Sequence, residues 1–329
     1  MADIPKHDLI QRPPNGRRAN RLMQRVFHPH PGQTVTIGGV DYYADKNGTM
    51  RKIKILSSVR PVSADELRER GGVEMTAIAF ICTFQEADVI GWTVRHLIRQ
   101  GLAVHVIDCC STDGTARLAV EAGATVEAYR APPVSWHALL GRVEMLAASS
   151  PHDWCTLCDA DELRYSDQPG ETLLEGFERV QDAGFIAIDH QVFTFHPTPQ
   201  SADFDGTQNP EKYFRYFSRD IWNERIGQVK AWRNIGPVSL AHSGGHQARC
   251  LPREGGADAR FEGQRVYQSF VSKHYPIRSQ AHGERKVFQE RQWLDQAQGR
   301  TSWHKQYDGI APGAKFIKDP ATLERWPDV

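Results

Sequence analysis

The 329-residue chain has no excess of charge: 40 Lys and Arg stand against 40 Asp and Glu, for a formal net charge of +0. Such a balance leaves no electrostatic footprint for nucleic acid and no general attraction to an acidic membrane. No apolar run approaches the roughly 20 residues that span a bilayer. The opening stretch, "MADIPKHDLIQRPPNGRRANRLMQRV", lacks the apolar core of a signal peptide, so a cytoplasmic protein is expected. Within it Arg17, Arg18, Arg21 and Arg25 form either a solvated face or a peripheral contact with an anionic surface, such as the inner membrane face. Cysteine is sparse, and six in this length are no disulfide scaffold. Cys155 and Cys158 make a CxxC inside a strand-like run, where residues three apart face opposite sides. Cys109 and Cys110 are adjacent, so all six cysteines are expected to be reduced. Internal repeats are also lacking.

What is present is an ordinary globular composition, 40% hydrophobic and 24% charged, long enough for one large domain or two ordinary ones. After an irregular lead-in that holds His28 and His30, "TVTIGGVDYYADKNGTMRKIKIL" alternates polar and apolar residues. Asn47-Gly48 is a type I′ hairpin signal, so a small β-meander is expected over about 34–56. Ser63 and Glu66 are spaced as a capping box. From Met75 strand-like and helix-like stretches alternate: "TAIAFICTF", "DVIGWTVRHLIRQG", "AVHVID", "TARLAVEAG", "ATVEAY", "WHALLGRVEMLAASS", "WCTLC". That rhythm predicts an α/β unit with a mostly parallel central sheet and flanking helices. The pattern loosens past residue 183, where "FIAIDHQVFTF" and "QVKAWRN" look like strands, "KYFRYF" is ambiguous and 284–298 looks helical. The expected division is 1–74 as an extension with the meander, 75–282 as the α/β domain, and 283–329 as a C-terminal helix and tail.

Ligands of such sheets bind outside the carboxyl ends of the strands. Three of these ends are polar: "CTFQE", "DCCSTDGT" and "CDADE". Asp159, Asp161 and Glu162 crowd three acids behind a buried strand, which calls for solvent or a cation. If the segment stays extended, Asp159 and Asp161 project to the same side, where Mg²⁺ or Mn²⁺ suits two carboxylates. Ser111, Asp113 and Gly114 are explained by a capped strand-to-helix loop, but Asp108 is not, and its carboxylate could accept a nucleobase N–H. Backbone groups of Thr83 and Phe84 could bond a base edge, and Glu86 either joins them or answers a helix dipole.

Together, "CTFQEADVIGWTVRHLIRQG", "VIDCCSTDGT" and "WCTLCDADEL" resemble the family 2 glycosyltransferases and their relatives of the GT-A fold. The likeness covers about residues 75–165 and departs at Gln85, where Asn is usual. It implies a Rossmann-like GT-A domain with a nucleotide-sugar site. In that site Thr83, Phe84, Glu86, Asp108 and Ala160 would hold the nucleoside, with Asp159 and Asp161 on Mn²⁺ or Mg²⁺. Arg142 lies where some relatives place a basic residue near the nucleotide; a solvated helix arginine is the equal alternative. More loosely, "KHYPIRSQAHGERK" resembles the H-Y-P-x-R-S segment of a subset of the superfamily. That likeness implies His274 as a further metal ligand, with Lys230, Arg278 and Ser279 on the diphosphate. His242 and His246 flank Gly244-Gly245, which argues for a loop on the acceptor side and against a zinc helix.

The implied chemistry is single-displacement, inverting transfer of a sugar from a nucleoside-diphosphate donor, UDP being the commonest, to a hydroxyl acceptor. The acceptor could be a glycan, a lipid-linked glycan or a small molecule. The general base is Asp189, an acid inside a strand-like run, or Glu224; either acid could instead be structural. A nucleotidyltransferase would normally carry a Gly-rich basic loop after the first strand, and "CTFQEAD" has neither glycine nor lysine. A non-catalytic nucleotide-sugar or glycan-binding module is the other alternative. The meander could cover the sheet, contact a partner or form the edge of an oligomer.

Overall fold

The structure is a computed structural model that describes residues 34–37, 40–44, 50–52, 75–130, 135–219, 227–250, 266–290, 307 and 309–327. The N-terminal arginines, His28, His30, the Ser63–Glu66 pair, Glu224 and the expected helix beyond 290 lie outside these residues. The chain divides into two compact units, Met1–Pro61 and Val62–Val329.

The first unit contains β1 (Thr34–Ile37), β2 (Val40–Ala44) and β3 (Met50–Lys52), an antiparallel meander in that order. Ala44 stands opposite Met50, so residues 45–49 intervene. The β2–β3 connection is therefore longer than the two-residue hairpin suggested by Asn47-Gly48, because register follows pairing along the strands as well as turn preference.

The second unit is built on one large sheet. Its parallel part has the order β6 (Thr125–Ala128), β5 (Ala103–Asp108), β4 (Ala77–Thr83), β7 (Trp154–Asp159). The connections are helical: α1 (Ile90–Arg99), α2 (Thr115–Glu121) and α3 (Trp136–Ser149). The strands form where the apolar runs are buried on both faces; β4 keeps only Ile78 partly exposed. On one face Ile81, Val94, Leu97, Val106 and Cys158 pack together, and on the other Phe80, Leu139, Leu140, Cys155 and Leu157. Cys155 and Cys158 thus face opposite sides, and neither is bridged. Gly101 stops α1 at φ +87°, and a Cβ there would stand 2.8 Å from Leu174 Cβ, so no other residue fits that turn.

Beyond β7 come β8 (Glu162–Tyr165), α4 (Leu173–Asp182), β9 (Ala187–Phe195), a short α5 (Pro210–Tyr213), β10 (Tyr216–Arg219) and β11 (Gly227–Arg233). Thr172 and Glu175 close a capping box on α4. The ambiguous 212–217 is split between α5 and β10. Next are the paired β12 (Val238–Ser239) and β13 (Arg249–Cys250), then β14 (Val266–His274), α6 (Gln280–Phe288) and β15 (Glu324–Arg325). Strand β11 runs antiparallel to β7 and β9, and β14 runs parallel to β9 and antiparallel to β8. The boundary expected at 282/283 falls inside α6. Phe316 packs on Ile277 and Val287.

Candidate functional site

Parallel register brings the three polar ends level: Thr83 lies opposite Asp108, and Cys82 opposite Asp159. Asp108 is buried, not exposed as a strand end would suggest. Its Oδ2 accepts the Ser111 N–H at 2.9 Å and its Oδ1 accepts the Ser111 hydroxyl at 2.6 Å. Burial raises its pKa, and the two Ser111 hydrogen bonds pull against that. The Thr83 carbonyl is already taken by the Cys109 N–H at 2.9 Å. Its hydroxyl is buried with no hydrogen-bond partner among the described residues. Phe84 is half-buried against the α3 face of the sheet.

Gln85 has φ +58°, in the left-handed region, where Asn is the more tolerated residue. The longer side chain has a use here. Its Oε1 accepts from Thr112 N at 2.7 Å and from Asp113 N at 3.3 Å, tying two of the polar ends together. Asp113 accepts from Thr115 and from Ala87 N, and Gly114 sits at φ +98°, as a capped loop requires.

Removing the Asp108 carboxylate by Asp108→Ala should lower affinity for the preferred nucleoside diphosphate by roughly 1–3 kcal/mol, the worth of a lost charged hydrogen bond. It should also destabilise the fold by roughly 1–3 kcal/mol, because Ser111 loses both acceptors. Calorimetry well below the melting point separates the two effects. Unchanged affinity would make Asp108 a purely structural acid.

The chain does not stay extended past β7. Ala160 and Asp161 form a turn into β8, and Asp159 and Asp161 pair with different cations. The turn is held by the Thr93 hydroxyl, which donates to the Ala160 carbonyl at 2.6 Å. Asp159 Oδ2 meets Lys230 Nζ at 2.7 Å. Lys230 also reaches Glu162 Oε1 at 3.1 Å, Glu162 Oε2 pairs with Arg164 Nη2 at 2.6 Å, and Arg164 Nη1 donates to Thr156 Oγ1 at 2.7 Å. Lys230, Glu162 and Arg164 are each at most 2% exposed, so this chain of alternating charges neutralises itself inside the protein.

Asp161 belongs to a second network. Its Oδ2 lies 3.0 Å from Lys286 Nζ and 3.8 Å from Arg278 Nη1, and its Oδ1 lies 3.6 Å from His274 Nε2. Glu86 Oε1 takes Lys286 at 3.0 Å, and its other oxygen contacts Arg278 Nη2. Asp88 chelates Arg278 through Nε at 2.7 Å and Nη2 at 2.8 Å. Burial alone would raise the Asp161 pKa, but Lys286, His274 and Arg278 together hold it well below the ordinary carboxylate range. His274 arrives through sheet pairing: it stands opposite Glu162 of β8 and Thr194 of β9. The Tyr275 N–H bonds the Asp161 carbonyl at 2.9 Å, and His274 Nδ1 lies 3.4 Å from the Thr194 hydroxyl.

A carboxylate oxygen and an imidazole nitrogen 3.6 Å apart fit two adjacent ligands of one divalent cation, which lie about 3 Å apart at ~2.1 Å bond lengths. Asp161 and His274 would hold it, with Asp159 drawn off by Lys230. Among the described residues, the set of three or more candidate ligands with atoms all within 4.8 Å of one another is instead Glu86, Asp88 and His282. That set surrounds the Arg278 guanidinium, whose Nη2 lies 2.9 Å from His282 Nε2, so its cation is already an arginine.

The remaining expected residues are placed as follows. The Ser279 hydroxyl caps α6 by accepting the His282 N–H at 3.1 Å. Arg142 is neither free in solvent nor on a strand end: its Nε and Nη2 each bond Glu127 at 2.8 Å. Asp189 lies on β9, with β11 between it and β7, and packs so close to Gly227 that a Cβ there would come within 2.0 Å of its Oδ1. His242 and His246 sit in a loop with Gly244 and Gly245 at positive φ, as expected. Asp88, Arg164, Thr194 and Lys286 were missed, and Glu162 was read only as one of three crowded acids. Lys286 had a signal, since Arg278, His282 and Lys286 recur every four residues, the spacing of one helix face.

No protein-family model matches the chain, and no curated protein matches it. Among solved structures it is similar to mannosyl-3-phosphoglycerate synthase from Rubrobacter xylanophilus, with 14% identity over 80% of this chain and 88% of that one and a TM-score of 0.31. It is similar also to glucosyl-3-phosphoglycerate synthase from Mycobacterium tuberculosis in complex with Mn²⁺, UDP-glucose and phosphoglyceric acid. There the identity is 15% over 80% of this chain and 91% of that one, with a TM-score of 0.33. Likeness at this level carries no argument about substrate. Among the described residues no helix is long and apolar enough to cross a membrane.

Proposed function

We propose that the chain is a metal-dependent, inverting GT-A-type glycosyltransferase that uses a nucleoside-diphosphate sugar, with UDP as the leading nucleotide. The observation that carries this reading is the convergence of Asp161, His274, Arg278 and Lys286 at the end of β7, level with Asp108 at the end of β5. Thr83, Phe84 and Asp108 receive the nucleoside, and the cationic side of the site receives the diphosphate. Glu86 acts at one remove, by holding Arg278 and Lys286. Asp161 and His274 would hold Mn²⁺ or Mg²⁺, which would supply positive charge to the departing diphosphate.

The acceptor oxygen attacks the anomeric carbon and forms the new C–O bond. The bond from that carbon to the phosphate oxygen breaks, and its electron pair leaves with the nucleoside diphosphate. The acceptor proton passes to a carboxylate, for which Asp189 is the candidate; its place beside Gly227 leaves one oxygen edge close to the backbone of β11. Arg278 contributes positive charge fixed in place, which is worth most in a water-poor site.

Calorimetry with UDP, GDP and dTDP tests the reading. At least one should bind on the order of 100-fold more tightly with Mn²⁺ than with EDTA, a coupling at the upper end of the usual range. Equal affinities in both would remove the metal from the site.

A further inference from the structure

We propose that Lys286 is a diphosphate ligand of the donor site, and that until the donor arrives its ammonium occupies Asp161 and Glu86 as an exchangeable counter-ion. The inference rests on the donor-site reading above and deepens it.

Lys286 Nζ lies 3.0 Å from Glu86 Oε1 and 3.0 Å from Asp161 Oδ2, bridging two acids from different strand ends. Besides His274, two cations face Asp161, and only one of them can move. Arg278 is 0% exposed, chelated by Asp88, in contact with Glu86, and donates from Nη1 to the Tyr275 carbonyl at 3.0 Å. Its planar fork is fixed on several sides. Lys286 is 15% exposed at its side chain and carries its charge on a flexible stem. The base of that stem is anchored, because α6 packs at Gly283, where a Cβ would come within 2.4 Å of Phe316 Cγ. The ammonium can swing while the helix stays.

Formal charge shows why the swing is needed. Leaving His274 aside as a metal ligand, Glu86, Asp88 and Asp161 set three negative charges against the two positive charges of Arg278 and Lys286. A divalent cation placed alone on Asp161 meets the Lys286 ammonium a few ångströms away and is repelled. A diphosphate placed alone meets unpaired carboxylate charge. Arriving together they cancel, since a donor diphosphate carries about −2 against the +2 of the metal. The ammonium then leaves the carboxylates for phosphate oxygens, and Asp161 is freed to hold the metal. Metal and nucleotide must therefore bind with strong mutual coupling.

The test is Lys286→Met, which keeps the stem and removes the charge, with Lys286→Arg as a second variant. Free Mn²⁺ is followed by electron paramagnetic resonance without nucleotide, and UDP, GDP and dTDP are titrated calorimetrically in saturating Mn²⁺. In Lys286→Met, Mn²⁺ alone should bind about fivefold or more tighter than in the parent, while the best nucleotide should bind at least about tenfold weaker. Loss of folding would weaken both, so opposite signs identify the exchange. Lys286→Arg should stay within about threefold of the parent on both measures. The proposal is overturned if Lys286→Met binds Mn²⁺ alone no tighter than the parent, or if either variant leaves these expected ranges while the parent binds nucleotide with Mn²⁺. A parent that binds none of the three nucleotides with Mn²⁺ overturns the donor-site reading itself, and this proposal with it.

Discussion

Arg278→Met should destabilise the protein by about 3–5 kcal/mol, the cost of breaking a buried ion pair from one side. Arg278 is fully buried, and its guanidinium is the shared partner of Glu86 and Asp88, with Asp161 at 3.8 Å. Methionine fills a similar volume, so the loss is electrostatic and not a cavity. Asp88 is the clearest case. Burial works to raise its pKa, and Arg278 is the main influence that holds it lowered instead. Without the guanidinium, Asp88 must take a proton or draw in water. For a unit of this size the melting temperature should fall by roughly 6–20 °C. The control is Arg117→Met, which removes an exposed pair with Glu121 whose side chains are 65% and 56% exposed. That change should stay within about 0.5 kcal/mol. Thermal and urea unfolding of the two variants side by side decide the matter. An Arg278→Met protein that melts within a degree or two of the parent would mean that water already reaches these carboxylates.

Asp161→Asn should reduce turnover by about 10²- to 10³-fold, in the range seen when one preorganised electrostatic group is removed from a transition state. The side chain keeps its size, and the backbone carbonyl of residue 161 still accepts from Tyr275 N. The turn should therefore survive. What changes is charge: the oxygen facing His274 at 3.6 Å loses its negative charge, and the Lys286 ammonium loses one of its two acids. On the proposed reading the effect should fall mainly on kcat, because Asp108, the residue proposed to hold the nucleoside, is untouched. The measurement is kcat and KM for the nucleotide sugar that the parent turns over fastest. A variant within threefold of the parent in kcat would exclude Asp161 from the reacting centre.

The sequence by itself determined the α/β rhythm of residues 77–159. Apolar β-rich runs, helical periodicity, the helix stop at Gly101 and the helix start at Gly114 are local signals, and each acts over a few residues. It also singled out Asp108, Asp159 and Asp161, because acids rarely follow buried strands without a reason. The opposite facing of Cys155 and Cys158 followed from strand alternation alone.

Only the tertiary structure decided who neutralises whom. Lys286 and Asp161 stand 125 positions apart, and Arg278 and Glu86 stand 192 apart. Pairing of β14 with β8 and β9 brings these residues together, and no local pattern encodes it. The turn at Ala160–Asp161 gave different cation partners to two acids that an extended segment would have presented together, because β8 must leave β7 to meet β14. The Asp108 carboxylate is buried, with Ser111 folded back onto it. Arg142 found Glu127 for a similar reason, with α3 laid across β6. Charges act across whatever distance folding leaves between them, while propensity and periodicity act along the chain. The elements were therefore legible before the fold, and the electrostatics of the site only after it.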